Sequence, residues 1–224
     1  MRTRDRAQQN EVEVKLPVED VPALRRRLKQ IGARQISGRV YEFNTLYDSP
    51  RKKLALQGQI IRIRSEQPAL RADQERHKLP AAAKLTFKGP VRGQAGKSSA
   101  SHRASKKSRY KVREELELTL SDGEQMRQIL CALGLRASFR YEKFRTTYGL
   151  PTQRNFKIEF DETPIGIFLE LEGKPSSIQR VARLLGYAPS EYITETYGAL
   201  YVAHMRRHRR IPSDMLFSTT KKTR

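Results

Sequence analysis

The sequence predicts an α+β fold in which antiparallel strands close into a barrel with a charged interior, and three observations carry this expectation. Seven short runs alternate with period two, and their polar members are nearly all full charges, with few Ser, Thr or Gln among them. Four segments of helical period lie between and after these runs and supply cover for an apolar outer face. At 224 residues the chain is long enough for one domain with a complete core and slightly short for two.

Taken in order, Glu11, Glu13 and Lys15 interleave with Val12, Val14 and Leu16. A helix follows, with Leu24, Leu28 and Ile31 behind Asp20 and Pro22 and with Gly32 as its stop. Arg62 and Arg64 interleave with Ile61 and Ile63; Lys84, Thr86 and Lys88 with Leu85 and Phe87; Arg113, Glu115 and Glu117 with Val112, Leu116 and Leu118. Ser121 and Glu124 have capping-box spacing before a second helix through Met126, Ile129, Leu130 and Leu133 to Gly134. Lys143 and Arg145 flank Phe144, Glu159 and Asp161 flank Phe160, and Glu170 and Glu172 flank Leu171. A third helix runs from Ser176 or Ser177 through Ile178, Val181 and Leu185 to Gly186, and a fourth begins near Ser190 and carries Tyr197, Leu200 and Tyr201.

A single alternating run ordinarily marks a strand with one face on the core and one in water. Repetition of carboxylates and cations over seven runs fits that picture poorly, because solvent faces are mixed. An inverted barrel fits better, with the charges turned into a hydrated lumen and the apolar face turned out against helices. Closure also removes the edges of a long antiparallel sheet. A weak duplication agrees: a carboxylate-rich strand, a helix ending in Ile31-Gly32 and the segment Tyr41-Glu42-Phe43 are echoed by Glu115 and Glu117, Leu133-Gly134 and Tyr141-Glu142-Lys143.

Lys and Arg number 45 against 24 acidic residues, a formal charge of +21 that predicts attraction to phosphates of any kind. Part of the surplus is local. The stretch Lys97 to Lys111 contains no acid, and the segment from Arg206 onward contains only Asp214; both read as solvated and mobile. The lone Cys131 argues against a disulfide framework, and neither a membrane span nor a signal peptide is evident, so a cytoplasmic location is expected. The domain expectation is an extension over 1–10, a folded part over 11–203 with a basic insertion near 90–110, and a basic tail over 204–224.

Eight lumen-facing cations are expected, Lys15, Arg62, Arg64, Lys84, Lys88, Arg113, Lys143 and Arg145. Eight carboxylates balance them: Glu11, Glu13, Glu115, Glu117, Glu159, Asp161, Glu170 and Glu172. Carboxylates at i and i+2 share a strand face, so Glu11 with Glu13, and Glu170 with Glu172, form pairs suited to a hard divalent cation, Mg2+ or Mn2+. The arginines and lysines suit a triphosphate, which needs many donors in fixed positions. His77, His102, His204 and His208 lack zinc-site spacing, and neither a phosphate-cradling glycine loop nor a nucleophile elbow is present.

These motifs resemble the CYTH superfamily, the triphosphate tunnel metalloenzymes, over residues 11–203. Glu11-Val12-Glu13-Val14-Lys15 is similar to the family's ExExK signature, and Arg62-Ile63-Arg64, Lys84 to Gly89, Arg113 to Glu117, Lys143-Phe144-Arg145 and Glu170-Leu171-Glu172 to its later strands. Leu46-Tyr47-Asp48-Ser49 resembles its Tyr-x-Asp-Thr region, with Ser49 in place of the frequent Thr, and the basic insertion between Lys88 and Arg113 is long. Tyr141 to Tyr148 and Asp161 to Gly166 look most like the class IV adenylyl cyclase-like branch.

The resemblance implies an eight-stranded antiparallel tunnel and divalent-metal-dependent action on ATP, inorganic triphosphate or thiamine triphosphate. It implies a principal metal on Glu11, Glu13, Glu170 and Glu172, with Glu115, Glu117 and Asp161 for a second metal or its water. Phosphate would be held by Lys15, Arg62, Arg64, Lys84, Lys88, Arg113 and Arg145. Tyr47 and Lys143 would assist the attacking water, although a barrel-wall role for Tyr47 stands equally beside that one. The rival reading is a non-catalytic polyphosphate or nucleic-acid binding module working through the basic segments. A small triphosphate is the expected partner, no membrane is expected, and the oligomeric state stays open.

Overall fold

The structure, a computed structural model, describes residues 10–69, 83–91 and 109–218. Its strands are β1 (Asn10–Pro17), β2 (Arg34–Asp48), β3 (Ile60–Pro68), β4 (Ala83–Lys88), β5 (Lys111–Leu120), β6 (Arg136–Leu150), β7 (Gln153–Thr163) and β8 (Gly166–Glu172). They form a closed barrel in the order β1-β5-β4-β3-β2-β6-β7-β8. Every neighbouring pair is antiparallel. The seam is closed by β1, whose first half pairs with β5 and whose second half pairs with β8. The eighth strand is β2, whose lumen positions Glu42, Asn44 and Leu46 carry one charge among them, so its sequence lacks the alternation that marks the other seven.

The strand order has approximate two-fold symmetry. Exchanging β1 with β5, β2 with β6, β3 with β7 and β4 with β8 returns the same ring. The two strand–helix–strand units, β1 with its helix and β2, then β5 with its helix and β6, therefore face their own copies across the β1–β5 and β2–β6 pairs. This is the duplication that the repeated Gly32 and Gly134 stops anticipate.

Among the described residues five α-helices accompany the barrel: α1 (Val21–Gln30), α2 (Lys53–Leu56), α3 (Gly123–Ala132), α4 (Pro175–Leu184) and α5 (Tyr197–Arg207). Asp20 caps α1 by accepting from the Ala23 amide, as its sequence suggests. The cap of α3 is Asp122, not Ser121, because the Asp122 carboxylate accepts from both the Glu124 and Gln125 amides. The segment expected to be one helix from Ser190 is a short 3-10 turn, Pro189–Glu191, followed by α5, which Thr196 caps. Gly32, Gly134 and Gly186 each take a positive φ just past a helix end, where a Cβ would be strained.

The apolar cores lie outside the barrel wall. Val14, Leu16, Ile158, Leu169 and Leu171 from β1, β7 and β8 pack against Leu24 and Leu28 of α1 and Ile178 and Val181 of α4. Full burial of each such side chain stabilises by about 1.5–3 kcal/mol, so this layer dominates the apolar stabilisation. On the opposite wall α3 contributes Leu130 to a smaller cluster with Ile63 and Leu120.

The segment after α5 is not wholly solvated, contrary to the expectation for the tail. Met215 is 0% exposed and bridges Tyr141, with its amide donating to the Arg140 carbonyl at 2.9 Å. Asp214 accepts from the Arg140 amide at 2.8 Å, and the Phe217 amide donates to Glu142 at 2.6 Å. This segment seals the outer face of β2 and β6, where Tyr41, Phe43 and Phe144 would otherwise face water. Residues 1–9, residues 70–82 with His77, residues 92–108 of the basic insertion with His102, and residues 219–224 lie outside the described residues. No helix among the described residues is long and apolar enough to cross a membrane.

Candidate functional site

Side chains alternate across a strand, so one lumen-facing residue fixes the facing of its neighbours at i±2. Glu11, Glu13 and Lys15 of β1, Arg62 and Arg64 of β3, and Lys84 and Lys88 of β4 all line one cavity of ≈ 870 Å³ inside the barrel. Arg113, Glu115 and Glu117 of β5, Lys143 and Arg145 of β6, and Glu170 and Glu172 of β8 line the same cavity. Asp161 of β7 lies just beneath its surface, hydrogen-bonded to Lys143 and Arg145.

Tyr47 is the exception. Glu42 and Asn44 occupy the lumen face of β2, so Tyr41, Phe43 and Tyr47 face outward, and Tyr47 packs with Ile63, Leu120 and Leu130. Burial pushes its phenol up to about 12, which suits a wall aromatic and not a proton carrier. Tyr141 and Tyr197 are the phenols that line the lumen instead.

One part of the site is saturated with ion pairs. Asp161, 0% exposed, accepts from Arg145 Nε at 2.6 Å, Arg145 Nη2 at 2.6 Å, Lys143 Nζ at 2.9 Å and the Tyr197 hydroxyl at 2.7 Å. Four donors fill a carboxylate, so Asp161 orients Lys143 and Arg145. Arg145 also holds Glu159 and Glu170, while Lys15 lies 3.1 Å from Glu13 and 2.9 Å from Glu170. The Tyr197 ring sits 5.1 Å from Lys15 Nζ and 5.2 Å from Lys143 Nζ, at cation–π distance. Burial, with Asp161 and Glu170 beside it, pushes the Tyr197 hydroxyl well up, so it stays protonated and donates. Glu42 lies 3.3 Å from Arg64 and 3.4 Å from Lys143. Burial opposes its ionisation, but Arg64, Lys143 and Arg145 prevail and hold it well below the usual carboxylate range.

A second part carries an excess of carboxylate. Lys88 sits between Glu11 at 2.7 Å and Glu115 at 3.1 Å, and Lys111 makes a tight contact with Glu13. Burial, reinforced by Glu13 and Glu115, lifts Glu11 to about 8 despite Lys88. Against burial, Lys111, Lys15 and Lys88 hold Glu13 well down and Lys88 holds Glu115 down, so Glu11 is the one of the three left short of positive charge. As hard oxygen donors on adjoining strands the three suit a divalent cation. The same carboxylates are turned to lysines, and among the described residues no three acidic, His or Cys side chains converge on a common point.

A third part carries an excess of cation. Among the described residues Arg62 donates only to neutral hydroxyls, Tyr141 and Thr86, both at 3.2 Å, and its Nε has no partner. Arg113 is 3% exposed and its Nε and Nη1 are likewise unpartnered. Neither arginine has an ion pair among the described residues. Burial lowers the Arg113 pKa, and the nearby Glu13, Glu11 and Glu115 do not fully offset it. Buried guanidinium donors without acceptors are costly, and an anion in the lumen would satisfy them.

Nearer one mouth Lys84 pairs with Glu117 at 3.6 Å and Lys157 with Glu172 at 3.2 Å, all about a third to a half exposed. The lumen residues absent from the expected set include Glu42, Lys111, Tyr141 and Tyr197, which all contact its charged network. Lys111 continues the period-two series of Arg113, Glu115 and Glu117, and its signal was masked by the basic stretch that precedes it. Tyr197 enters from a helix, and no strand period announces it.

An eight-stranded barrel that turns its charged faces inward and its apolar faces out defines a polar tunnel. A model of the CYTH domain matches residues 9–195, and the chain belongs to the CYTH domain family. Solved structures share the fold. A candidate adenylate cyclase from Vibrio parahaemolyticus is 19% identical with a TM-score of 0.62, over 86% of this chain and 97% of that one. A Pyrococcus horikoshii protein is 20% identical with a TM-score of 0.62, over 87% and 99%. A candidate adenylyl cyclase from Hippeastrum, described as having a dominant triphosphatase activity, is 14% identical with a TM-score of 0.56, over 90% and 97%. No curated protein matches the sequence significantly.

Proposed function

We propose that the protein is a divalent-metal-dependent enzyme that grips a triphosphate inside the barrel and hydrolyses or cyclises it. The observation that carries this reading is the pair of buried arginines, Arg62 and Arg113, whose donors have no acceptor inside a carboxylate-lined cavity. Membership of the CYTH family supports it.

In this reading Arg62, Arg113 and Lys88 bind the phosphate oxygens, with Arg64, Lys84, Lys15 and Arg145 extending the cationic wall. Glu11, Glu13 and Glu115 hold a divalent cation, Mg2+ or Mn2+, with Glu170 and Glu172 on the neighbouring β8; the cation supplies charge neutralisation at the phosphoryl oxygens. Lys143, fixed by Asp161, orients the attacking oxygen and stabilises charge on the group in transfer. The Tyr141 hydroxyl, whose pKa burial would raise, is lowered by Arg62 and Lys143 and is the phenol placed to share a proton with that oxygen. Attack by water on the terminal phosphorus breaks its bridging P–O bond and releases phosphate. Attack by a ribose hydroxyl on the α-phosphorus releases pyrophosphate.

Phosphate release from ATP, thiamine triphosphate and tripolyphosphate, measured beside cyclic AMP formation, tests the proposal. Turnover of at least one substrate with Mg2+ or Mn2+, abolished by a chelator, is expected. Inactivity on the whole panel with both metals overturns it. A polyanion-binding module would account for the exposed Arg206, Arg207, Arg209 and Arg210, but not for carboxylates buried along the lumen, which repel such a ligand.

A further inference from the structure

The two ends of the lumen are chemically unlike. At one, Lys84, Glu117, Lys157 and Glu172 form a hydrated rim of mutual ion pairs. At the other, where β3 begins and β2 meets β6, the lumen is lined by Leu46, Ile60, Phe139, Thr196 and Gly198. A second cavity of ≈ 260 Å³ adjoins this apolar end, walled by Tyr47, Ile61, Ala55 and Gly58. Leu46, Ile60, Arg113 and Thr196 line both cavities, so the two spaces share a wall and a corner.

The acid in this chamber, Asp48, is already occupied. It accepts from the Ser49 amide at 2.7 Å, the Leu54 amide at 3.0 Å and the Ala55 amide at 2.9 Å, which ties α2 to the end of β2. Among the described residues, Arg113 is the one cation that lines the chamber; it lines the lumen as well, is 3% exposed, and has its Nε and Nη1 buried without a partner. Small-molecule sites combine this kind of apolar wall with one or two fixed polar groups.

We propose that this chamber receives the organic end of the substrate. The substrate is then a triphosphate ester of a ring-bearing alcohol, such as a nucleoside, and not inorganic triphosphate. This rests on the reading of the lumen as a triphosphate site. The triphosphate lies among the lumen cations, Arg113 meets the phosphate next to the ester oxygen, and the ring leaves water against Leu46, Ile60 and Ile61. The charged rim at the other mouth offers a ring no such surface, because its side chains are engaged with one another and with solvent.

Titration calorimetry with inorganic tripolyphosphate, ATP and thiamine triphosphate, with magnesium and again with a chelator, tests the assignment without requiring turnover. Ser138 lines the chamber from the irregularity in β6 and does not line the lumen, and Gln59 does the same from the loop before β3. At least one ester is expected to bind roughly tenfold more tightly than tripolyphosphate, as differential filling of an apolar pocket allows. Ser138→Phe and Gln59→Trp should each erase that difference while tripolyphosphate affinity persists, which also reports that the variant is folded. Tripolyphosphate binding as tightly as both esters, or both fillings weakening all three ligands alike, overturns the chamber and leaves the lumen reading intact. Absence of binding by all three ligands overturns the lumen reading, and the chamber with it.

Discussion

Arg145 and Arg113 are both buried lumen arginines, yet their surroundings give opposite expectations. Arg145 neutralises Asp161, Glu159 and Glu170, so Arg145→Ala leaves several buried carboxylates uncompensated and should cost about 3–5 kcal/mol in urea denaturation. Arg113 has no ion pair among the described residues and carries unpartnered donors. Arg113→Leu should therefore leave stability within about 0.5 kcal/mol or raise it, while tripolyphosphate affinity measured by calorimetry falls at least about tenfold. Tyr47→Phe should leave turnover of the active triphosphate within about twofold, far from the ~100-fold loss on removing a general acid or base, because the phenol faces α3 and not the lumen. At this scale the sequence was informative wherever one residue fixed a strand's parity, which is why fourteen of the sixteen expected site residues line the cavity itself and Asp161 lies just under it. Tyr47 escaped because its strand has no charged alternation to reveal which parity is inward.

Elements that cover the barrel were legible where helical period and a glycine stop coincided, as in α1, α3 and α4. The role of the last segment was not. Arg206 to Arg210 give it the composition of a solvated tail, whereas the short apolar run at Met215 to Phe217 docks through long-range contacts with β6 that no local period encodes. Truncation after Ser213 removes a fully buried Met215, two backbone bonds to β6 and the Asp214–Arg140 pair. A loss of about 2–4 kcal/mol in chemical denaturation is expected. An unchanged midpoint would mean that the segment contributes nothing to the fold.

The whole molecule is a shell of apolar packing around an ion-pair network, so its stability should be sensitive to acid. Glu42 has a folded pKa below the unfolded value of 4.5, and its contribution is therefore present above that value and lost as pH falls through it toward the folded value. Glu42→Gln should be about 3 kcal/mol less stable than the parent at neutral pH, with the gap closing below the ordinary carboxylate range; a gap that stays constant would contradict the pairing with Arg64, Lys143 and Arg145. The same network gives the lumen its two unsatisfied poles, carboxylate around Glu11 and guanidinium around Arg62 and Arg113. A crystal structure with tripolyphosphate and manganese tests that arrangement most directly. Phosphate oxygens hydrogen-bonded to Arg62 and Arg113, with anomalous manganese density beside Glu11 and Glu13, is the predicted result. Polyphosphate bound along Arg206 to Arg210 with the lumen holding only water would contradict it.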